Sequence, residues 1–276
     1  MKLFISLLLA LLLQVSSYTC QRDVCHMSTV AVFGGTGFLG RECVYQALKA
    51  NKKVVVLARD PSKMLIPEGS GGADANKPLV DARLKIITGD VTDPKAVEAV
   101  FEAADDIEGV IVALGGKTKD VGPTMLTDGT RTIINAMKKK SSAKRIAVVT
   151  SIGTGDSEKQ APLMFKALMY TVMRSIFADK NRQEELFTKP DGPGHDLEYC
   201  IVRPGGLGKG PATGVINVID GQAGSIQRAD VASFCLGAVL DQGFQYLRKT
   251  PCISSIGGTG WKKEPEKGFD DVKTAD

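Results

Sequence analysis

The feature that most constrains this chain is a glycine turn. Gly34-Gly35-Thr36-Gly37-Phe38-Leu39-Gly40 follows an apolar run, Thr29 to Phe33. It leads into a stripe of Leu39, Cys43 and Ala47, with Val44 and Leu48 beside them, at helical period. With Thr36 inside the turn, each glycine has its own task. Gly34 permits the tight bend, Gly37 lets a pyrophosphate approach the backbone, and Gly40 lets the helix pack against the strand. The N–H groups of Phe38 and Leu39 then face the phosphates at a helix start, where the dipole favours negative charge. A lone glycine triplet would not separate a dinucleotide site from a structural turn. The strand before it, the helix after it and a second strand at the expected distance predict dinucleotide binding.

The same alternation continues along the chain. Strands are predicted at Thr29 to Phe33, Lys53 to Ala58, Leu84 to Thr88, Gly109 to Leu114, Arg145 to Thr150 and Glu198 to Arg203. Runs such as Val54-Val55-Val56-Leu57 lack polar alternation, as strands covered on both faces of a parallel sheet do. Helices are predicted over Gly37 to Ala50, Pro94 to Ala103, Thr124 to Lys140, Pro162 to Phe187 and Arg228 to Leu240. The pattern implies a single α/β domain over 29–260, a Rossmann-type doubly wound parallel sheet with its ligand beyond the carboxyl ends of the strands. Pro61 to Asp81, rich in Gly, Pro, Ala and Asn, is expected to cross as a loose surface loop. Residues 261–276, of mixed charge, are expected to form a disordered tail.

At the end of the second strand, where an NAD site needs a carboxylate for the ribose hydroxyls, the chain reads Leu57-Ala58-Arg59-Asp60. An arginine there suits a 2′-phosphate, so NADP is expected over NAD. Asp60 is the counter-argument, since an acid one position on can still reach a ribose. Lys63 is either a second charge on that phosphate or a solvated loop lysine. After the third strand, Asp90 is placed to accept from the adenine amino group, with Val91 covering the ring; Asp90 is equally suited to capping the helix near Pro94. After the fourth, Leu114, Gly115 and Gly116 let a cofactor lie close against the backbone.

The 35 basic and 31 acidic residues are spread without an arginine-rich run, so nucleic acid is not an expected partner. Lys138 to Lys140 read as cations at a helix end. Lys2, an apolar run from Leu3 to Leu13 and small polar residues to Ser17 make 1–17 a cleaved signal peptide, too short to span a bilayer. Residues 18–28 are then a short linker or residual targeting segment. The cysteines argue against an oxidising destination: Cys43, Cys200 and Cys235 fall on core positions, no C-x-x-C occurs and no spacing suggests zinc or another metal. Cys20 and Cys25 are free to pair, and Cys252 lies in a late strand-like stretch. The leader suits a plastid reached through the ER or the ER lumen, while the thiols suit the plastid or a cytoplasmic product started at Met27.

With these residues placed, the chain resembles the atypical short-chain dehydrogenase/reductases, in particular the NmrA-like and biliverdin/flavin-reductase-like branch with its plastid relatives. The resemblance runs from Thr29 to about Ile256. Val32 to Gly40, Val56 to Asp60, Thr88 to Asp93, Val149 to Gly153, Ile201 to Leu207 and Ile226 to Ala232 carry it. It implies that Ser151 polarises a carbonyl and that Lys180 holds the nicotinamide ribose and tunes a tyrosine four residues earlier. That position is Ile176. Tyr170 is an outside candidate through a shifted Tyr-x-x-x-Arg unit with Arg174, and His195 sits in a glycine-proline loop. Pro204, Gly205 and Gly206 are expected beside the nicotinamide. Relatives without the tyrosine still reduce flat acceptors, so two functions stand. One is an NADPH-dependent oxidoreductase for a quinone, flavin, tetrapyrrole or enone; the other is a non-catalytic NADP(H) sensor or assembly protein. An open pocket beside Ser151 would favour the first, and side chains from Met164 to Met173 filling that space the second.

Overall fold

A computed structural model describes residues 27–116 and 122–259. The expected leader over 1–17, the segment after it with Cys20 and Cys25, and the expected tail over 261–276 lie outside the described residues. Strands β1 (Thr29–Phe33), β2 (Lys53–Ala58), β3 (Leu84–Thr88), β4 (Ile107–Val112), β5 (Arg145–Val149) and β6 (Glu198–Pro204) run parallel in the order β3-β2-β1-β4-β5-β6. Beyond β6, β10 (Cys252–Ser254) pairs parallel and β8 (Asn217–Val218) closes the edge antiparallel. A second sheet joins β7 (Gly206–Gly208), β9 (Ala223–Gln227) and β11 (Ile256–Gly258).

Successive side chains of a strand point to opposite faces, and both faces here are covered. In β1, Val30 and Val32 join a core under α1 (Phe38–Lys49) and α6 (Arg228–Leu240). Ala31 and Phe33 join the core under α2 (Pro94–Glu102), α3 (Met125–Lys140) and α5 (Arg174–Thr188). That is why the central strands lack polar alternation. The chain winds outward from β1 to β2 and β3, then crosses back to β4 on the other side of β1, and this reversal opens the crevice where ligands of such sheets bind.

Three expectations need correction. The long helix over Pro162 to Phe187 is two: α4 (Leu163–Tyr170) ends in a turn before α5 begins. The Thr171 hydroxyl takes the Ala167 carbonyl at 2.8 Å, and the Met173 N–H reaches back to Leu168, so the regular ladder is interrupted. β4 starts and stops two residues earlier than expected, because Ala113 donates to Phe33 beyond the end of β4 at the start of the turn that crosses Gly34. The crossover over 61–81 forms no α-helix, yet it is not loose. Met64 is buried, Leu65 bridges Pro78, and the Glu42 carboxylate on α1 accepts the Gly69 and Ser70 N–H groups. Cys43, Cys200 and Cys235 are buried free thiols, as their core positions implied, and so is Cys252.

Candidate functional site

The glycine turn divides its residues between fold and ligand. Gly34 has φ +83°, and a Cβ there would stand 2.4 Å from the Ala113 carbonyl oxygen; one on Gly40 would stand 2.1 Å from that of Gly34. Both are demanded by the packing of β1, α1 and the end of β4. Gly37 is different: it has φ −74°, is exposed, and a Cβ would meet only the Gly34 oxygen, at 3.3 Å. What its missing side chain leaves free is the space in front of the helix start, with Phe38 and Leu39 as the first residues of α1. Gly115, after β4, is exposed, and a Cβ there would meet no atom within 4 Å. The two open glycines flank the crevice at the switch point, the cradle that a dinucleotide's pyrophosphate and riboses fit.

Along the rim, Arg59 is exposed at the end of β2 and forms no salt bridge among the described residues. Asp60 is already spent. Its carboxylate accepts from the Ser62 N–H and hydroxyl, caps a short 3-10 turn and lies 3.4 Å from Lys63, and the Ser62 bonds hold its pKa down. Lys63 is thereby a loop lysine paired with its neighbour. Asp90 bends back on the Thr92 N–H and hydroxyl, which lower its pKa, with Arg59 adding to the effect. It does not cap the next helix: Asp93 does, accepting from the Lys95 N–H. Val91 is buried against Gly129 of α3, and Leu114 is half-buried beside them. Thr36 offers its carbonyl to Arg41 Nε at 3.0 Å.

At the other end of the crevice Ser151 follows β5, half-buried, its hydroxyl without a partner among the described residues. Lys180 Nζ donates to the carbonyl of Thr150, the residue before Ser151, at 2.5 Å. Burial lowers the Lys180 pKa to about 8, against the opposing pull of Glu184. Two anchors fix this lysine. Its neighbour Asp179 is buried and accepts from the Leu126 and Thr127 N–H groups at the start of α3, where a carboxylate meets the positive end of the dipole. One turn on, Glu184 accepts from the Thr150 hydroxyl at 2.7 Å and holds Arg203 of β6 through both carboxylate oxygens, at 3.1 and 2.6 Å. Arg203 and Glu184 are 4% and 3% exposed, and Arg203 also reaches Asp156. Burial works against the Arg203 charge, but Glu184 and Asp156 raise its pKa by more. Glu184 and Arg203 are the residues that sequence reasoning missed as a unit. The available signal was an arginine inside an apolar strand, which demands a buried acid.

Ile176 is half-buried and offers no proton. Tyr170 does not replace it: it is 59% exposed, ends α4 rather than sharing α5 with Lys180, and donates to Glu158, which raises its pKa. Its expected partner Arg174 begins the next helix. His195 is tied through Nδ1 to the Phe187 carbonyl, 3.1 Å away in its loop. Pro204 ends β6 with its carbonyl accepting from Ile152, and Gly205 is set by the fold, since a Cβ would lie 2.3 Å from the Gly224 carbonyl oxygen. Met169 packs so closely on Gly153 that a Cβ there would be 2.6 Å from its Sδ, with Phe177 beside it and Phe165 and Met173 around them. Met164 points outward.

A doubly wound sheet with an open glycine cradle at its switch point defines a dinucleotide-binding α/β domain. The chain belongs to the NAD(P)H-binding family of atypical short-chain dehydrogenase/reductase type, whose model matches residues 34–242. Among curated relatives it is 24% identical to the oxidase pynE of Aspergillus niger over 65% of this chain and 76% of that protein. It is 26% identical to the reductase pytE of Aspergillus terreus over 64% and 74%. The fold superimposes on ChuY, an anaerobilin reductase from Escherichia coli O157:H7, with a TM-score of 0.61 at 24% identity, covering 82% of this chain and 97% of that one. Among the described residues no helix is long and apolar enough to cross a membrane.

Proposed function

We propose that this protein is an NADPH-dependent reductase that delivers hydride to a flat conjugated acceptor, a quinone, flavin, tetrapyrrole or enone. The observation that carries the reading is Lys180: an ammonium drawn out of water, held on the Thr150 carbonyl beside the free Ser151 hydroxyl, where no tyrosine stands. NADPH, when bound along the cradle, supplies the hydride. Ser151 would donate a hydrogen bond to the oxygen or ring nitrogen where negative charge develops, and Lys180 would give that atom a proton as hydride is taken up elsewhere in the conjugated system, recovering one from solvent. A donor with pKa about 8 is mostly protonated at neutral pH and still acidic enough to transfer. An exposed Arg59, with Asp60 committed to Ser62 and Lys63, supports NADPH over NADH. The oxidase and reductase names of the relatives, and the tetrapyrrole named for ChuY, point the same way.

A second reading, an NADP(H)-dependent sensor, is favoured by one observation: Met169 and Phe177 occupy the space against Gly153 that an acceptor would use. Titration of the protein with NADPH and NADH by fluorescence, then stopped-flow oxidation of bound NADPH by quinone, flavin and tetrapyrrole acceptors, separates the two. Acceptor-dependent turnover establishes the reductase. Tight binding without turnover establishes the sensor, and failure to bind either nucleotide removes both.

A further inference from the structure

On the outer side of the α1 start a cleft is lined by Phe38, Arg41, Glu42, Glu68, Lys209 and Arg228. Three cations converge on one aromatic ring there. Lys209 Nζ lies 5.0 Å, Arg228 Cζ 5.6 Å and Arg41 Cζ 5.9 Å from the Phe38 centroid, and the ring stays 54% exposed. A single cation would suffice to cover that ring, and three repel one another. Arg41 gives Nε to the Thr36 carbonyl, and Arg228 gives one nitrogen to the Leu207 and Gly208 carbonyls. Neither guanidinium has a carboxylate within 4 Å among the described residues, and burial lowers the pKa of both. Lys209 has Glu68 at 3.6 Å.

A second, independent observation lies in the floor of the same cleft. Glu42 is 2% exposed; its Oε1 is taken by the Gly69 and Ser70 N–H groups, while its Oε2 is buried with no partner among the described residues. A buried carboxylate oxygen of this kind calls for a donor from outside the chain. The cleft therefore offers three cations to an anion against two carboxylates: Glu68, which offsets part of the charge of Arg41, Lys209 and Arg228, and Glu42, which keeps one oxygen unpartnered. It is also well placed relative to the crevice. Lys209 is four residues past Gly205, about 13 Å of extended chain, and the cleft adjoins the first turn of α1.

We propose that this cleft is an anion subsite for the acceptor: it holds a carboxylate or phosphate arm that carries a hydroxyl or amide donor next to it, the donor going to Glu42. The assignment rests on the reductase reading for the identity of its ligand, but the subsite is testable without turnover. It makes the enzyme selective for acidic acceptors and leaves the cofactor's own phosphates to the glycine turn and Arg59.

The test uses the full chain saturated with NADP, which blocks the cofactor's phosphate positions. Inorganic phosphate and acetate are titrated separately against thermal unfolding, with sodium chloride at matched ionic strength as reference, in wild type and in K209Q. The expected result is stabilisation by phosphate or acetate beyond the chloride reference, lost in the variant, while the variant's NADPH affinity stays within twofold of wild type. The anion that stabilises distinguishes a phosphate arm from a carboxylate arm. In parallel, a naphthoquinone bearing an amide-linked carboxylate is compared with its methyl ester. Wild type prefers the acid at least tenfold in kcat/KM, and the variant loses that preference. No stabilisation beyond chloride by either anion, stabilisation that survives in the variant, or NADPH affinity falling tenfold with the variant would each overturn the subsite. Anion binding without any turnover would instead sustain the subsite and remove the reductase reading.

Discussion

Replacing Lys180 by methionine gives a prediction whose size follows from the structure. In the fold, burial lowers the lysine pKa from 10.5 to about 8. At pH 7 both folded and unfolded chains carry the proton, and the fold bears the full cost of the desolvated charge, about 3 kcal/mol at 1.36 kcal/mol per unit. As pH rises above 8 the folded lysine loses its proton first while the unfolded one keeps it. The unfolded chain then binds more protons, and wild-type stability rises with pH until about 10.5. K180M has no such group. Its stability relative to wild type should therefore fall by about 2 kcal/mol between pH 7 and pH 9.5, because other titrating groups contribute equally to both proteins. Urea unfolding of the two proteins at each pH measures this directly. A difference that stays constant to within about 0.5 kcal/mol, the scatter of such comparisons, would show that the ammonium is solvated and would refute the argument for Lys180 as a tuned donor.

Gly37→Ala should leave stability within about 1 kcal/mol of wild type, yet weaken NADPH at least tenfold by calorimetric titration, since its methyl group would project where the phosphates approach. Gly40→Ala, with its Cβ 2.1 Å from a carbonyl oxygen, should instead fail to fold by circular dichroism. Arg59→Glu should reverse the cofactor preference from NADPH to NADH in the same titration; an unchanged ratio would place the 2′-phosphate elsewhere. Glu184→Gln leaves the buried Arg203 charge with only the exposed Asp156 carboxylate and should cost about 3 kcal/mol in urea unfolding, the lower end for breaking a buried pair. Tyr170→Phe should leave the turnover of any accepted quinone within twofold, because its hydroxyl is engaged with Glu158 on the surface.

Much of the architecture was decided locally. The apolar runs of β1, β2 and β5, the periodicity of α1, and the spacing of Gly34, Gly37 and Gly40 are short-range patterns, and steric rules convert them into a doubly wound sheet with a cradle at its switch point. Ser151 and Lys180 were singled out by the family resemblance, and the fold sets Lys180 on the carbonyl of Thr150, the residue before Ser151. What tertiary structure decided is how each polar group is spent. Asp60 was the counter-argument for NAD and Asp90 a candidate for the adenine amino group, but each closes on a residue two positions on. The break after Tyr170 was invisible because LMFKALMY and the residues of α5 continue one helical pattern, and a threonine hydroxyl competing for one carbonyl interrupts it. Glu184 with Arg203, and Phe38 with Arg41, Lys209 and Arg228, join residues far apart in the chain. Sequence can say that a buried charge needs a partner; only the folded chain brings a particular partner within hydrogen-bonding distance, because Coulomb and desolvation energies depend on separation in space and not along the backbone.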